Sequence, residues 1–353
     1  MSALRRIAVI AGDGVGPEVT AVAERLLAWY RDERGLPLEL WRLGLGAEQW
    51  LATGEGLSDA LLAQIRGEAS AVLLGALGDR RIPGHEHARS ILFGLRFGLD
   101  LYANVRPVRA LCQRLLPLAG RRCEDVDIVV FRENTEGLYA GIGGQLRRGT
   151  AAEVAIEEDI NTRLGVERIL RAAFAYARRE KKRLCLADKS NALRHAHELW
   201  QRVYQELGRE YADVESEHLY IDALCYELVR DPGRFQVIVS CNLFGDIVSD
   251  LVAALGGGLG LAPSASLHPG GSVPGLFEPV HGSAPELAGR DLANPLAMLR
   301  TVGLLLEALG FEGPRAAIDA AAAQALEARE CTPDAGGSLG TSAAGDAVLR
   351  RLR

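Results

Sequence analysis

Residues 242–250 read Asn-Leu-Phe-Gly-Asp-Ile-Val-Ser-Asp and follow the apolar run Val-Ile-Val-Ser-Cys at 237–241. The apolar run predicts a buried strand, so a helix begins at a strand's carboxyl end, where open α/β sheets bind ligands. Asp246 and Asp250 are four residues apart, which places both carboxylates on one helix face. Their repulsion favours a cation between them, and oxygen ligands suit Mg²⁺ or Mn²⁺. A solvated acidic helix face is the alternative interpretation.

Short apolar runs alternate with segments of helical spacing along the chain. This alternation predicts an α/β fold, in which a mostly parallel sheet carries helices on its faces. No linker is visible, so a second domain has to be woven from the same chain. Residues 141–162 interrupt the pattern and predict either an arm that pairs with a partner subunit or an ordinary surface hairpin. The predicted strands are 7–11, 71–76, 127–131, 184–187 and 237–241, and the predicted helices are 19–30, 58–65 with Ser58 as N-cap, 166–178 and 193–207.

The composition is that of a soluble globular protein, with 353 residues, 48% of them hydrophobic and 24% charged. A formal net charge of −6 argues against non-specific nucleic-acid binding. No apolar run is long enough for a membrane helix, and the first residues enter a strand without the pattern of a signal peptide. The six cysteines are scattered without paired spacing, which favours a reducing, cytoplasmic location.

Three arginines, Arg96, Arg106 and Arg132, emerge from apolar surroundings. Arginines in such positions need anionic partners, and the guanidinium fork matches a carboxylate. An internal salt bridge would explain any one of them. The three together indicate a small substrate that carries several negative charges.

Tyr139, Lys189 and Asp222 complete the candidate reactive residues. Lys189 follows a predicted strand, and Asp222 lies in the segment Leu-Tyr-Ile-Asp-Ala at 219–223. A tyrosine and a lysine near a divalent cation and arginines are expected to have lowered pKa values and to act as acid or base. Taken singly, each is more often a surface or packing residue.

Two segments are rich in turn-forming residues. Residues 12–18, Gly-Asp-Gly-Val-Gly-Pro-Glu, follow the first predicted strand, and their glycines permit either close approach to a ligand or a tight structural turn. Residues 277–286, Phe-Glu-Pro-Val-His-Gly-Ser-Ala-Pro-Glu, predict a loop rather than a helix or strand. Together with His281 and Asn294, this loop could cradle a nucleotide, although a plain long loop is the alternative.

Taken in order, the motifs at 12–18, 100–107, 132–139, 189–191, 242–250 and 277–294 resemble the β-decarboxylating dehydrogenases, the isocitrate/3-isopropylmalate dehydrogenase family. The resemblance runs from about residue 5 to about residue 345. It implies an isopropylmalate dehydrogenase-like, three-layer α/β/α fold that is not a Rossmann fold. It also implies a first, cofactor-binding domain at 1–103 and 261–353, a second domain at 104–260 with the arm at 141–162, and a homodimer with shared active sites.

The family's site residues carry over to matching positions. The resemblance implies that Arg96, Arg106 and Arg132 hold the malate carboxylates and that Tyr139 protonates the enol. It implies a Mg²⁺ or Mn²⁺ site made by Asp246 and Asp250 with Asp222 of the partner subunit, and a base in Lys189 of the partner subunit. The implied cofactor-binding residues are Asn191, Glu278, His281, Gly282, Ser283, Ala284, Glu286, Leu287 and Asn294.

The cofactor and substrate are predicted from individual side chains. Glu286 and Leu287 stand where relatives that use NADP have lysine and tyrosine, and a carboxylate would repel a 2′-phosphate, which predicts NAD. Leu92 and Phe93 favour a substrate whose side group is apolar or absent, while Ser90 and Arg89 leave some room for a polar one. The predicted substrate is 3-isopropylmalate, hence a place in leucine biosynthesis.

Several alternatives stay open. They are D-malate or tartrate, isocitrate or homoisocitrate, and a catalytically silent regulatory subunit. No nucleic acid or membrane is expected as a partner. The roles of His85, His87 and Arg89 are open as well.

Overall fold

A computed structural model describes residues 3–353, and within that range it has twelve strands and eleven α-helices. The strands are β1 Arg5–Gly12, β2 Leu38–Leu43, β3 Ala71–Ala76, β4 Ala103–Arg109, β5 Asp127–Glu133, β6 Gly143–Leu146, β7 Val154–Glu157, β8 Leu184–Asp188, β9 Ser216–Tyr220, β10 Val237–Ser240, β11 Pro263–Leu267 and β12 Gly275–Pro279. The helices are α1 Gly16–Arg34, α2 Ala47–Thr53, α3 Asp59–Glu68, α4 Glu86–Gly98, α5 Arg163–Glu180, α6 Ala196–Glu210, α7 Ile221–Arg230, α8 Asn242–Leu255, α9 Leu296–Ala308, α10 Pro314–Glu327 and α11 Thr341–Leu352.

Ten strands form one sheet in the order β2-β1-β3-β12-β11-β4-β5-β10-β8-β9. The pairings at both ends of the sheet are parallel, which confirms the α/β prediction. In the middle, β11 pairs antiparallel with β12 and β4, and β4 pairs antiparallel with β5. The sheet is therefore mixed, and its antiparallel part joins two parallel halves.

Alternate residues of the parallel strands inside each half of the sheet point to opposite faces, and helices cover both faces, which creates three layers. In β1, Ile7 and Val9 pack with α1, α9, α10 and α11, whereas Ala8 and Ile10 pack with α3 and α4. In β10, Val237 and Val239 pack with α5 and α6, whereas Ile238 packs with α7 and α8. Burying each large aliphatic side chain contributes roughly 1.5–3 kcal/mol, so these faces hold the helices on the sheet.

The four hydrophobic clusters follow the two halves of the sheet. Two clusters draw almost all of their residues from 7–101 and 261–352, and the other two draw almost all of theirs from 102–262. This division supports the domain boundaries expected at 103 and 261, which stay a prediction. The chain leaves the first half at β4 and returns to it at β11, and these two strands pair.

Most predicted elements are confirmed, and their ends differ from the predicted ones by no more than four residues. Ser58 is the N-cap of α3, because its hydroxyl accepts a hydrogen bond from the backbone N of Leu61 at 3.3 Å. One prediction is wrong in part, since Phe277, Glu278 and Pro279 end strand β12 instead of beginning a loop. The two neighbouring strands β3 and β11 supply ladder partners that outweigh the local turn preference.

Residues 143–157 form the predicted hairpin, in which β6 and β7 pair antiparallel. Every residue of both strands is exposed. Among them and just before them are the apolar side chains of Ile142, Leu146, Val154 and Ile156. Among the helices of residues 3–353, none is both long and apolar enough to cross a membrane.

Candidate active site

A cavity of about 290 Å³ lies between the two halves of the sheet. Helix α4 lines one wall, strands β4 and β5 with helix α8 line another, and the end of β12 closes it. Ten of the predicted site residues line it: Leu92, Phe93, Arg96, Arg106, Arg132, Tyr139, Asp246, Glu278, His281 and Gly282.

The three predicted arginines converge on this cavity although they come from α4, β4 and β5. The Arg106 Nη2 lies 3.1 Å from the Asp246 carboxylate, and Arg132 contacts the same oxygen. The Arg96 Nη2 lies 2.8 Å from Glu278 Oε1. Burial and the neighbouring Arg106 charge lower the pKa of Arg132 to about 10. Crowded, buried guanidinium groups of this kind favour binding of an additional anion.

Side chains behind the arginines fix their orientation. The Arg106 Nε donates to Asn104 Oδ1 at 2.7 Å and its Nη1 donates to Ser249 Oγ at 2.8 Å. The Arg132 Nε donates to Asn242 Oδ1 at 2.9 Å. These three supporting residues were not predicted from the sequence. The signal for Asn104 was present, because residues i and i+2 of a strand share one face.

Asp246 and Asp250 lie one turn apart on α8, as predicted. Burial opposes ionisation of Asp246, but the charges of Arg132 and Arg106 outweigh it and hold the pKa of Asp246 below its usual range. Asp250 is about half exposed and lies 3.4 Å from Arg106 Nη1. Burial, reinforced by the Asp246 charge and opposed by Arg106, raises the pKa of Asp250. The negative charge of Asp250 is therefore unfavourable where the side chain lies, and a cation bound between the two carboxylates would relieve this.

Tyr139 lies beside these carboxylates and donates from its hydroxyl to Asp246 Oδ2 at 2.9 Å. Its pKa differs from the expectation. Burial raises the pKa of Tyr139, the charge of Asp246 adds to this rise, and Arg132 only partly offsets it. The phenol is therefore protonated near neutral pH and is suited to give a proton rather than to take one.

Helix α4 presents two different faces. Leu92 and Phe93 line the cavity, one turn before Arg96. Ser90 is not among the lining residues. It shares a face with Gly94 and Gly98, and that face packs against Gly56 and the residues that follow it. This placement gives no support to Ser90 as a substrate contact.

Lys189 and Asp222 form a pair with each other, with Lys189 Nζ 2.5 Å from Asp222 Oδ1. Neither lines the cavity of its own chain, and Asp222 is 68% exposed. Within residues 3–353, no three acidic, histidine or cysteine side chains converge so as to hold a metal. A metal ion bound by Asp246 and Asp250 would therefore need further ligands from other groups.

The predicted cofactor residues follow β12 along one edge of the cavity. His281 Nδ1 faces Gly282 O at 3.0 Å, while its Nε2 is buried and has no hydrogen-bond partner among the described residues. Glu286 is exposed and lies 3.8 Å from Arg80. Asn294 donates to Asp334 at 3.0 Å. Ser283, Ala284, Leu287 and Asn294 lie farther along the same segment, and Asn191 lies in the exposed loop after β8.

The glycine-rich loop at 12–18 contacts backbone rather than open space. A Cβ at Gly12 would lie 1.9 Å from Ala76 O, and one at Gly14 would lie 2.0 Å from Ser283 O. The Val15 N donates to Ser283 O at 2.9 Å. Gly12 therefore allows the loop to pack closely against the end of β3, and Gly14 allows it to pack against the predicted cofactor segment, which favours the structural interpretation.

The sequence left the roles of His85, His87 and Arg89 open, and the structure shows where each of them lies. His87 is fully buried, and its Nε2 lies 2.9 Å from Asp13 Oδ2. Arg89 lines the cavity with its guanidinium 5.6 Å from the Phe93 ring centroid. His85 is exposed and has a left-handed backbone before α4.

Comparisons with known proteins identify the family of the chain. The model of the family described as isocitrate/isopropylmalate dehydrogenase matches residues 6–348. A 3-isopropylmalate dehydrogenase of Thermobifida fusca is 47% identical over 98% of this chain and 97% of its own length. One from Frankia casuarinae is 45% identical over 96% of this chain and its whole length.

Solved structures agree as well. Isocitrate dehydrogenase from Methylococcus capsulatus superposes with a TM-score of 0.89 at 35% identity, covering 99% of this chain and 100% of its own. A β-decarboxylating dehydrogenase from Thermococcus kodakarensis gives a TM-score of 0.80 at 34% identity, covering 99% and 96%. The chain therefore belongs to the isocitrate/isopropylmalate dehydrogenase family and is an oxidoreductase of that type.

Proposed function

We propose that the protein catalyses the NAD- and divalent-metal-dependent oxidative decarboxylation of a 3-substituted (2R)-malate, with 3-isopropylmalate as its substrate. One observation carries this proposal, namely a single cavity that is lined both by three arginines and by the apolar side chains of Leu92 and Phe93. The arginines match two carboxylates, and the wall matches an alkyl group. The names of relatives such as that of Thermobifida fusca support the same substrate, which would place the protein in leucine biosynthesis.

The acidic residues of α8 fit a divalent cation. Asp246 and Asp250 offer carboxylate oxygens one turn apart, and Asp222 of the partner subunit would add a third. Hard oxygen ligands suit Mg²⁺ or Mn²⁺. A cation bound there supplies Lewis acidity to the hydroxyl and carboxylate oxygens of the substrate.

The segment after β12 fits the nicotinamide cofactor. The buried Nε2 of His281 lacks a hydrogen-bond partner among the described residues and would find one on a bound nucleotide. The Glu286 carboxylate would accept hydrogen bonds from ribose hydroxyls and disfavour a 2′-phosphate. NAD supplies the hydride acceptor.

The chain's own residues would orient the substrate and move its protons. Arg96, Arg106 and Arg132 would hold the carboxylates, and Arg106 and Arg132 would do so without reorganising, because their supporting side chains already fix them. Tyr139, kept protonated by burial, would donate its proton to carbon 3 after CO₂ leaves. Lys189 of the partner subunit would accept the hydroxyl proton, which requires a homodimer with shared sites.

A substrate panel tests the proposal. The purified protein is assayed with 3-isopropylmalate, D-malate, tartrate, isocitrate and homoisocitrate, each with NAD or NADP and with Mg²⁺, Mn²⁺ or a chelator. We expect the highest kcat/KM with 3-isopropylmalate and NAD, and no turnover after chelation. A higher value for isocitrate would refute the role of the apolar wall, and a preference for NADP would refute the role of Glu286.

A further inference from the structure

The loop that carries Lys189 is held by a buried histidine. Strand β8 ends at Asp188, Lys189 follows it, and His197 lies in the first turn of α6. The backbone N of Lys189 donates to His197 Nδ1 at 3.0 Å. The histidine side chain is only 1% exposed, so water does not compete for this bond.

The ring of His197 is oriented by its neighbours. It stacks on Trp200, with ring centroids 6.5 Å apart, and packs on Phe244 of α8 at 5.5 Å. Burial lowers the pKa of His197, with Asp188 and Asp159 opposing, so the ring is neutral. Because Nδ1 accepts a hydrogen bond, the ring proton lies on Nε2. Nε2 faces Asp159 Oδ2 at 3.9 Å and has no hydrogen-bond partner among the described residues.

The residues on either side of Lys189 are fixed separately. Asp188 is fully buried and accepts hydrogen bonds from the Ser190 N at 3.0 Å, from Gln201 Nε2 at 2.6 Å and from His218 Nε2 at 2.9 Å. These bonds hold Asp188 and Ser190. The carbonyl oxygen of Lys189 accepts hydrogen bonds from the backbone N of Ala192 at 2.9 Å and of Leu193 at 2.8 Å. The N–H of Lys189, on the side of the strand, has His197 Nδ1 as its acceptor.

We propose that His197 is a positioning residue for Lys189: its Nδ1 fixes the backbone from which the lysine side chain reaches its proton-transfer partner. This inference rests on the proposed role of Lys189 as a base. A base acts only within hydrogen-bond reach of the proton that it takes, and a small displacement of the backbone moves the ammonium group out of that reach. Substrate binding depends on the arginines of the cavity and is unaffected.

Two replacements separate the acceptor from the packing of the ring. His197→Phe keeps an aromatic ring against Trp200 and Phe244 but removes Nδ1. His197→Asn loses the ring but places its Oδ1 near the position of Nδ1, where it can accept from the Lys189 N–H. His197→Gln serves as the matched control, because its carboxamide reaches the position of Nε2 instead.

The assay is steady-state turnover of 3-isopropylmalate with NAD and Mg²⁺, alongside thermal unfolding. We expect kcat of the Phe variant to fall about 10- to 100-fold with KM nearly unchanged, in line with the cost of a misplaced catalytic group. The Asn variant should retain most of the wild-type kcat although it has lost the ring. The Gln variant should resemble the Phe variant in kcat.

Two outcomes would overturn the inference. Full kcat in a folded Phe variant would show that the Nδ1 acceptor is dispensable. A normal kcat in the Gln variant but not in the Asn variant would show that the important atom is Nε2, which faces Asp159, and not Nδ1. Lys189→Met is measured in parallel to keep the two proposals apart. If Lys189→Met keeps its turnover, the proposed role of Lys189 fails, whereas an inactive Lys189→Met beside a fully active Phe variant rejects only the positioning role.

Discussion

At the scale of single residues, the cavity is organised before any substrate arrives. Arg106 and Arg132 share the Asp246 carboxylate, and side-chain oxygens of Asn104, Ser249 and Asn242 accept further hydrogen bonds from them. Donors fixed in this way need not rearrange as charge develops in the substrate. The same arrangement explains why Tyr139 keeps its proton, since its hydroxyl bonds to an anionic neighbour.

Replacing Tyr139 by phenylalanine tests its role as a proton donor. The change keeps the ring, which packs edge-on against Phe93 with centroids 6.4 Å apart, and removes only the hydroxyl. Loss of a general acid costs about 10²–10⁴-fold in rate, so we expect kcat to fall by that order with little change in KM. Steady-state kinetics measure it. The thermal midpoint should fall by only about 1–2 °C, because one hydrogen bond contributes about 1 kcal/mol.

Replacing Leu92 by asparagine tests the apolar wall. The amide would lose hydrogen bonds to water when an alkyl group packs on it, and one such mismatch costs about 1–3 kcal/mol. We expect kcat/KM for 3-isopropylmalate to fall by roughly 10- to 200-fold, while the value for D-malate, which lacks the alkyl group, changes much less. Ser90→Ala, on the other face of α4, should leave the ratio of the two substrates unaltered; a changed ratio would show that the placement of Ser90 is wrong.

At the scale of elements, the sequence was sufficient where a pattern is local. The spacing of Asp246 and Asp250 predicted their shared face of α8, and Ser58 predicted the start of α3. The sequence was insufficient where residues distant in the chain decide the local structure. Phe277 to Pro279 form a strand because β3 and β11 lie beside them, and no local signal announces neighbours that are remote in the chain. Likewise, Tyr139 has a raised pKa because of burial, which its own segment does not reveal.

Helix α8 carries Asp246 and Asp250, the two proposed metal ligands of this chain. Asp250 lies within reach of both Arg106 and the Asp246 charge, so its carboxylate is held in an unfavourable position in the absence of a cation. We expect Asp250→Asn to raise the KM for Mg²⁺ at least about tenfold, because one anionic ligand is lost. Thermal unfolding with increasing Mg²⁺ gives an independent measurement. The wild type should be stabilised by the ion and the variant should not; equal stabilisation of both would exclude Asp250 as a ligand.

At the scale of the whole molecule, the candidate site is divided. Leu92 and Arg96 belong to the half of the sheet that contains both chain ends, whereas Arg132 and Asp246 belong to the other half. The order of the motifs along the sequence was enough to match the chain to a family. The sequence did not reveal that α4, β4, β5 and β12 meet at one cavity, because this follows from the antiparallel pairing at the centre of the sheet. Lys189 and Asp222 lie outside the cavity of their own chain. Within one subunit, the proposed proton acceptor Lys189 therefore does not line the cavity that would hold the substrate.

Mixing two inactive variants tests whether the sites are shared between subunits. One variant carries Lys189→Met and keeps its cavity, and the other carries Asp246→Asn and keeps its lysine. If each cavity uses the lysine of the other chain, a hybrid dimer contains one intact site and one doubly damaged site. Random reassociation of equal amounts makes half of the dimers hybrid, so about a quarter of the wild-type activity should return. Turnover is measured after the subunits are denatured and refolded together, with each variant refolded alone as the control. Sites contained within one chain would give no recovery, because each hybrid subunit would carry its own defect.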